Sequence, residues 1–259
     1  MDVSIRMIGI ASTFFWIILL AFFASAAYSV KDLHLGVGEP LLSVASNGDL
    51  LVSISINIEN GGYYDLGEFN LTTKVADVNG SMLAEGSTFI PTVKRGGKVA
   101  TFHNLTFNFN DLLEKGSYYI FNDANFSLAA IISMKIAEAI PVKASSNFSV
   151  PWGAPFYNFE LGEPTFEPFN RTHLEVVVPL SFENHAFFDV YGEIRLRMYN
   201  SEGLLVGRGE TVIEAPQGFL YNGFIVFHVQ TAENIREGFF EVYFSTSLFE
   251  YGPLVITYG

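Results

Sequence analysis

The chain has 259 residues, 49% of them apolar and 16% charged, with a formal net charge of −13 at pH 7 and no cysteine. The negative balance repels phosphate backbones and anionic headgroups and excludes a nucleic-acid-binding role. The absence of cysteine excludes a disulfide scaffold and a thiolate metal centre, so stability must come from packed cores.

The first predicted element is a helix. Residues 7–28 (MIGIASTFFWIILLAFFASAAY) contain no charge, and the ~20 apolar residues that a bilayer-spanning helix requires are present. Residues 1–30 are therefore read as a signal anchor or signal peptide. Arg6 and the terminal amine stay inside, Lys31 is offset by Asp32, and the rest of the chain is placed outside the cell membrane. Ala24-Ser25-Ala26 before Ala27 matches the small-x-small pattern of signal cleavage. The apolar run exceeds the ~7–15 residues of a cleaved h-region, which favours an uncleaved single-pass anchor. Secretion after cleavage between Ala26 and Ala27 is the alternative.

Strand patterns follow. Leu50, Val52, Ile54, Ile56 and Ile58 alternate with more polar residues, as Leu174, Val176, Val178, Leu180 and Phe182 do later, the period of half-buried strands. Further strands are predicted over 69–78, 98–109, 193–199, 219–230 and 254–258, with turns at Asn79-Gly80 and at residues 200–203. Short helices are expected only at 111–116 and 233–238, each beginning acidic and ending in a glycine suited to a left-handed position. Residues 129–140 are helical by composition, but their place in the repeat is strand-like and Pro141 closes them.

The order of these elements repeats. Gly38-Glu39-Pro40 and then Asn60-Gly61-Gly62-Tyr63-Tyr64-Asp65 return about 124 positions on as Gly162-Glu163-Pro164 and Asn184-His185-Ala186-Phe187-Phe188-Asp189. A spacing this long marks two copies of one domain. The expected fold class is all-β: two tandem immunoglobulin- or fibronectin-III-like antiparallel β-sandwiches after an N-terminal transmembrane helix. The copies are assigned to residues 31–150 and 156–259. A stiff linker at 151–155 offers the Trp152 ring to either domain. A terminal strand at 254–258 is a candidate for pairing with a neighbour.

The strand ending in Asn60 or Asn184, the aromatic pair, the aspartate and a following strand with Leu83 to Gly86 or Leu205, Val206, Gly207 and Gly209 are similar to the LEA type 2 family, the LEA14-like or WHy domain. The family commonly writes Asn-Pro where this chain has Asn60-Gly61 and Asn184-His185. The resemblance implies a β-sandwich without catalytic residues, a link to desiccation stress, and kinship with membrane-anchored tandem surface proteins of prokaryotes.

Candidate chemistry is sparse. Asn60, Asp65, Asn184 and Asp189 are read as turn-forming residues, with a calcium site built on Glu59, Asn60 and Asp65 as the sharper but oxygen-poor alternative. Glu39 and Glu163 occupy equivalent places in separate copies and so share no cleft of the kind glycoside hydrolysis needs. The oxygen-rich 122–125 segment has no counterpart in the second copy and reads as a loop or glycan site. His34, His103, His173, His185 and His228 show no metal-binding spacing, and no nucleophile or phosphate-loop motif is present. Six sequons, at Asn70, Asn79, Asn104, Asn125, Asn147 and Asn170, predict an exported glycoprotein with most glycan on the first copy. Most of the 26 Phe and 12 Tyr are assigned to cores, the remainder to a binding or assembly patch.

The expected function is non-enzymatic: a membrane-tethered extracytoplasmic glycoprotein with a structural or protein-interaction role at the cell envelope. It would bind no cofactor, metal or nucleic acid, and would meet another envelope protein or a second copy of itself. One alternative is a secreted filament or sheath subunit whose freed 27–35 segment donates a strand. Another is a ligand-binding module using the groove near Trp152.

Overall fold

A computed structural model describes residues 3–45, 49–108, 112, 117–231 and 235–259. Helix α1 (Val3–Ser29) is followed by a 3-10 turn (Val30–Asp32) and strand β1 (Leu33–Val44). Within α1 and this turn, Ser12–Asp32 has a mean hydropathy of 1.9 and is long and apolar enough to cross a membrane. The first copy continues with β2 (Leu50–Asn60), β3 (Leu66–Ala76), β4 (Met82–Val93), β5 (Lys98–Phe107), the single helical turn α2 (Tyr118–Phe121), β6 (Ala124–Ile136) and β7 (Ile140–Trp152). The second comprises β8 (Tyr157–Leu161), β9 (Thr165–Pro168), β10 (His173–Glu183), β11 (Val190–Asn200), β12 (Leu205–Ala215), β13 (Leu220–Gln230), β14 (Gly238–Thr246) and β15 (Glu250–Tyr258).

The pairing is antiparallel throughout and repeats copy for copy. One sheet of the first sandwich has the order β1-β2-β5 and the other β4-β3-β6-β7. In the second sandwich β13-β10-β8, with β9 also on β10, faces β12-β11-β14-β15. Three strands against four in this order is the fibronectin-III arrangement. Alternation of apolar residues along β2 and β10 puts Ile56 and Ile58, and Val176, Val178, Leu180 and Phe182, into the interior.

The shared Gly-Glu-Pro motif interrupts the first strand of each sandwich. Register slips between Val37 and Pro40 in β1, and Gly162-Glu163-Pro164 separates β8 from β9, both of which pair with β10. Proline cannot donate to a ladder, so the motif bends the strand at a fixed place. The "Leu-x-x-Gly" glycines bring two sheets close: a Cβ on Gly86 would collide with the Asn104 carbonyl, and on Gly207 or Gly209 would come within 2.6–2.7 Å of the Phe227 ring.

The apolar interior divides unevenly. Ile56, Ile58, Leu66, Phe69, Ile90, Val93 and Ile136 form one cluster together with Ala26 of α1. The other half of the first sandwich (Leu50, Val75, Phe126) joins the interior of the second through Trp152 and Phe156 in one continuous cluster. Buried Thr73 and His103 lie along their strands between the two clusters.

Several expectations are corrected. Residues 129–136 are extended, as their place in the repeat predicts, but 137–139 form a turn and Pro141 lies at the start of β7 where it was expected to close a segment. Gly238 begins β14 without a positive φ, because the chain there turns directly into a strand. The helical turn expected at 111–116 lies outside the described residues except for Leu112, whereas of that expected at 233–238 the described residues 235–238 are not helical and run straight into β14. Pro151 and Trp152 belong to β7, so Gly153 to Phe156 join the two sandwiches. Leu33 to Leu35 of the 27–35 segment already pair with Ile58 to Asn60 of β2.

Candidate functional site: two equivalent docking loops

The repeated motif lies in the β2–β3 loop of the first sandwich and the β10–β11 loop of the second. Asn60 and Asn184 close their strands with side chains 1% and 0% exposed. Asn60 Nδ2 donates to the carbonyls of Tyr64 (2.9 Å) and Val93 (3.0 Å), while its Oδ1 accepts from Gly62 N at 3.1 Å. Asn184 repeats this with Phe188 O (2.9 Å), Ala215 O (2.8 Å) and Ala186 N (3.0 Å). A carboxamide has the two donors and one acceptor that this task needs; a carboxylate lacks the donors. Each asparagine thus ties its own loop to the end of the neighbouring sheet.

The aspartates fasten a third loop. Asp65 Oδ1 accepts from Arg95 N at 2.8 Å and Oδ2 from Lys94 Nζ at 2.7 Å. The Lys94 bond, then the Arg95 amide, hold its carboxyl below the usual range. Asp189 Oδ1 accepts from Gln217 N at 2.9 Å. Glu59 pairs with Lys98. The oxygens considered for calcium are therefore engaged in internal bonds, and among the described residues no group of three metal-ligating side chains converges.

What these loops hold is the chain that precedes each sandwich. Gly61 N donates to Asp32 O at 2.9 Å, and at the equivalent place His185 N donates to Ala154 O at 3.0 Å. The aromatic pair completes each socket. In the first, Tyr64 meets Phe22 edge-on at 5.8 Å between centroids, and Tyr63 stacks on Tyr28 at 6.2 Å. In the second, Phe187 and Phe188 contact Trp152 at 5.7 and 6.4 Å.

Helix α1 presents a matching stripe. Phe22, Ser25, Ala26 and Ser29 fall at i, i+3, i+4 and i+7, one face of a helix. Ser25 Oγ is 2.7 Å from the Tyr64 hydroxyl, Ser29 Oγ accepts from Tyr63 N at 2.8 Å, and Ala26 and Ser29 are buried. Gly62 has no room for a side chain, since a Cβ would meet Ser29 O at 2.7 Å.

The second joint has an ionic addition. Both ring nitrogens of His185 face carboxylates, Nδ1 at 2.8 Å from Asp123 Oδ2 and Nε2 at 3.0 Å from Glu183 Oε2, an arrangement that the imidazolium satisfies with two donors. Burial disfavours the cation, but the bonds to Asp123 and Glu183 outweigh it and raise the pKa. Asp123 Oδ1 also accepts from Ala154 N at 2.9 Å, Trp152 Nε1 donates to Tyr119 O at 2.8 Å, and Phe156 N to Ile120 O at 2.9 Å. Tyr157 stacks on the imidazole at 4.2 Å. A recess of about 650 Å³ beside Trp152 is lined by Asp123, Asn125, Pro151, His185 and Phe187, but its strongest polar groups, Asp123 and His185, are bonded to each other.

The other predicted residues are scattered. Asn79, Asn104, Asn125, Asn147 and Asn170 are exposed. Half-buried Asn70 accepts from Ser87 Oγ at 2.8 Å. Ala26 is buried and Ala27 exposed, both inside α1. His103 is buried with Nδ1 at 2.9 Å from Thr88 Oγ1 and with Nε2 lacking a partner; burial lowers its pKa. Two contributions escaped the sequence reading. Asp77 and Asn200 cap equivalent turns, accepting from Asn79 N and Ser81 N, and from Glu202 N and Leu204 N; acid and amide both accept, which hid the match. The α1 stripe was hidden by the apolarity of its surroundings.

No protein-family model matches the chain, and no curated protein matches it in sequence. Among solved structures, the chain is similar at 15% identity to red sea bream transglutaminase, over 88% of its own length and 31% of that protein's, with a TM-score of 0.30. It thus spans under a third of that enzyme. It is similar at 11% identity to a bacterial adhesin from Mobiluncus mulieris (73% of this chain, 76% of that one, TM-score 0.30) and to the periplasmic chaperone SfaE (86% and 97%, TM-score 0.28).

Proposed function

We propose that the chain is a membrane-tethered, non-catalytic surface protein whose two β-sandwiches form a stiff column outside the membrane, each gripped onto the segment that precedes it. The observation that carries this reading is the recurrence of one backbone bond, Gly61 N to Asp32 O and His185 N to Ala154 O, in two loops closed by equivalent asparagines. A residue pattern kept in both copies and spent on joining neighbours is what a spacer needs and what an active site does not.

The anchor reading rests on the apolar helix and on its contacts. Cleavage after Ala26 would sever Phe22, Ser25 and Ala26 from the sandwich that they touch, and these contacts support the uncleaved tether. The outside orientation rests on Arg6 and the sequons. We assign the sandwiches to the LEA type 2 class on their repeated motif, with the role of a structural or partner-presenting stalk.

The test is intact-mass measurement and N-terminal sequencing of the protein from native membranes. The proposal expects a chain retaining residues 1–30 and heavier than its polypeptide by glycan. A chain beginning at Ala27, found in the soluble fraction, would overturn it.

A further inference from the structure

The two docking loops differ in what surrounds them. The second is enclosed: Phe187 is half-buried against Trp152. The first receives only a helix, and Tyr63 is left 55% exposed beside Tyr28, itself 53% exposed. Two paired replacements accompany this exposure. The pair Phe187-Phe188 becomes Tyr63-Tyr64, and Pro216-Gln217, in the adjoining loop that meets the aspartate, becomes Lys94-Arg95. Both basic side chains are exposed, and Lys31 lies against Tyr28. Tyrosine is the aromatic suited to a zone apolar on one side and wet on the other, and basic residues suit lipid phosphates.

Height along the helix says what covers this surface. Tyr64 reaches Phe22 and Ser25, whereas Tyr63 touches Tyr28. Six residues of α-helix between Phe22 and Tyr28 are about 9 Å. The loop thus runs down beside the outer end of the apolar segment, and the Tyr64 hydroxyl, which would otherwise be stranded at that depth, is bonded to Ser25 Oγ.

We infer that the β2–β3 loop of the first sandwich is a lipid-contact surface: Tyr63 and Tyr64, flanked by Lys94, Arg95 and Lys31, rest in the headgroup region of the bilayer that α1 crosses. Asp65, Glu138 and Asp32 lie at the same end; Asp65 is neutralised by Lys94. The inference rests on the anchor reading above, and the sandwich sits directly on the membrane without an intervening stalk.

The experiment uses the full chain in nanodiscs with lipids brominated either near the headgroup or deep in the acyl chain. Trp16, in α1, reports the anchor. Tyr63→Trp in a Trp16→Phe background reports the loop, and Phe224→Trp in the same background, exposed on the second sandwich, serves as the remote control; buried Trp152 adds the same emission to every variant. The expected result is loss of Trp16 emission with the deep quencher, loss of Tyr63→Trp emission with the shallow one, and none for Phe224→Trp. A quenched Trp16 with an unquenched Tyr63→Trp overturns the lipid contact and spares the anchor. An unquenched Trp16 overturns both. An independent arm places a spin label by Arg95→Cys; accessibility to a water-soluble relaxant equal to that of a label at Phe224→Cys would also overturn it.

Discussion

Replacing Asn184 by alanine removes three hydrogen bonds at a site with no water access. Phe188 O and Ala215 O each lose a donor and Ala186 N loses its acceptor. At ~1 kcal/mol net per bond, rising where a buried group is left unpaired, the loss is about 3–5 kcal/mol, a large share of the stability of an ordinary domain. Asn184→Asp should be no better, since it restores one acceptor, supplies no donor and introduces a buried charge. Urea unfolding of the full chain in nanodiscs in a Trp16→Phe background, followed by Trp152 emission, reads the effect because that ring lies against Phe187 and Phe188. Exposed Asn222→Ala is the control, expected within ~0.5 kcal/mol of the parent. A change at Asn184→Ala no greater than at Asn222→Ala would refute the role assigned to the repeated asparagine.

Further outcomes follow from the same geometry. The raised pKa of His185 makes its contribution complete below the unfolded value near 6.5 and lost as pH rises through the higher folded value. The stability difference between parent and His185→Gln should therefore shrink as pH rises above 6.5, measured by urea titration. His103 has the opposite sign: its lowered folded pKa gives stability above 6.5 that is lost as pH falls through the folded value. His103→Ile, which installs the residue type of buried Ile225 at the matching position, should remove that acid sensitivity from the unfolding curve. Gly86→Ala should destabilise by ~1–3 kcal/mol, because the atom in the way is the Asn104 carbonyl; a neutral substitution in thermal unfolding would contradict the close approach. Glycopeptide mass spectrometry should find modification at exposed Asn104, Asn125 and Asn147 before Asn70, whose side chain is already bonded to Ser87.

Much of the fold was legible because strand periodicity and a long repeat are strong local signals. The period-two pattern at 50–58 and 174–182 fixes which face is inside, and the duplicated Asn-to-Asp loop marks equivalent corners. The joints were less legible. Asp123 was set aside because its segment had no copy in the second domain, yet a chain of two sandwiches has one junction between them, and a residue serving it need occur only once. His185 looked like a departure from a family pattern, and its partners Asp123 and Glu183 are 62 and 2 residues away, a pairing that no spacing rule reveals. Ser25 and Ser29 were absorbed into an apolar run whose overall composition outweighed their helical spacing. Contacts between elements far apart in the chain depend on how the sandwiches stack, and periodicity carries no information about stacking.

The central claim is that the docking loops make the column stiff, and pulsed electron–electron distance measurement across the second joint tests it most directly. With no native cysteine, labels at exposed Ser145 and Asn222 report the two sandwiches in the full chain in nanodiscs. The account predicts a single narrow distance distribution in the parent that broadens in Asp123→Ala and in Trp152→Ala. A parent distribution already as broad as those of the variants would contradict it.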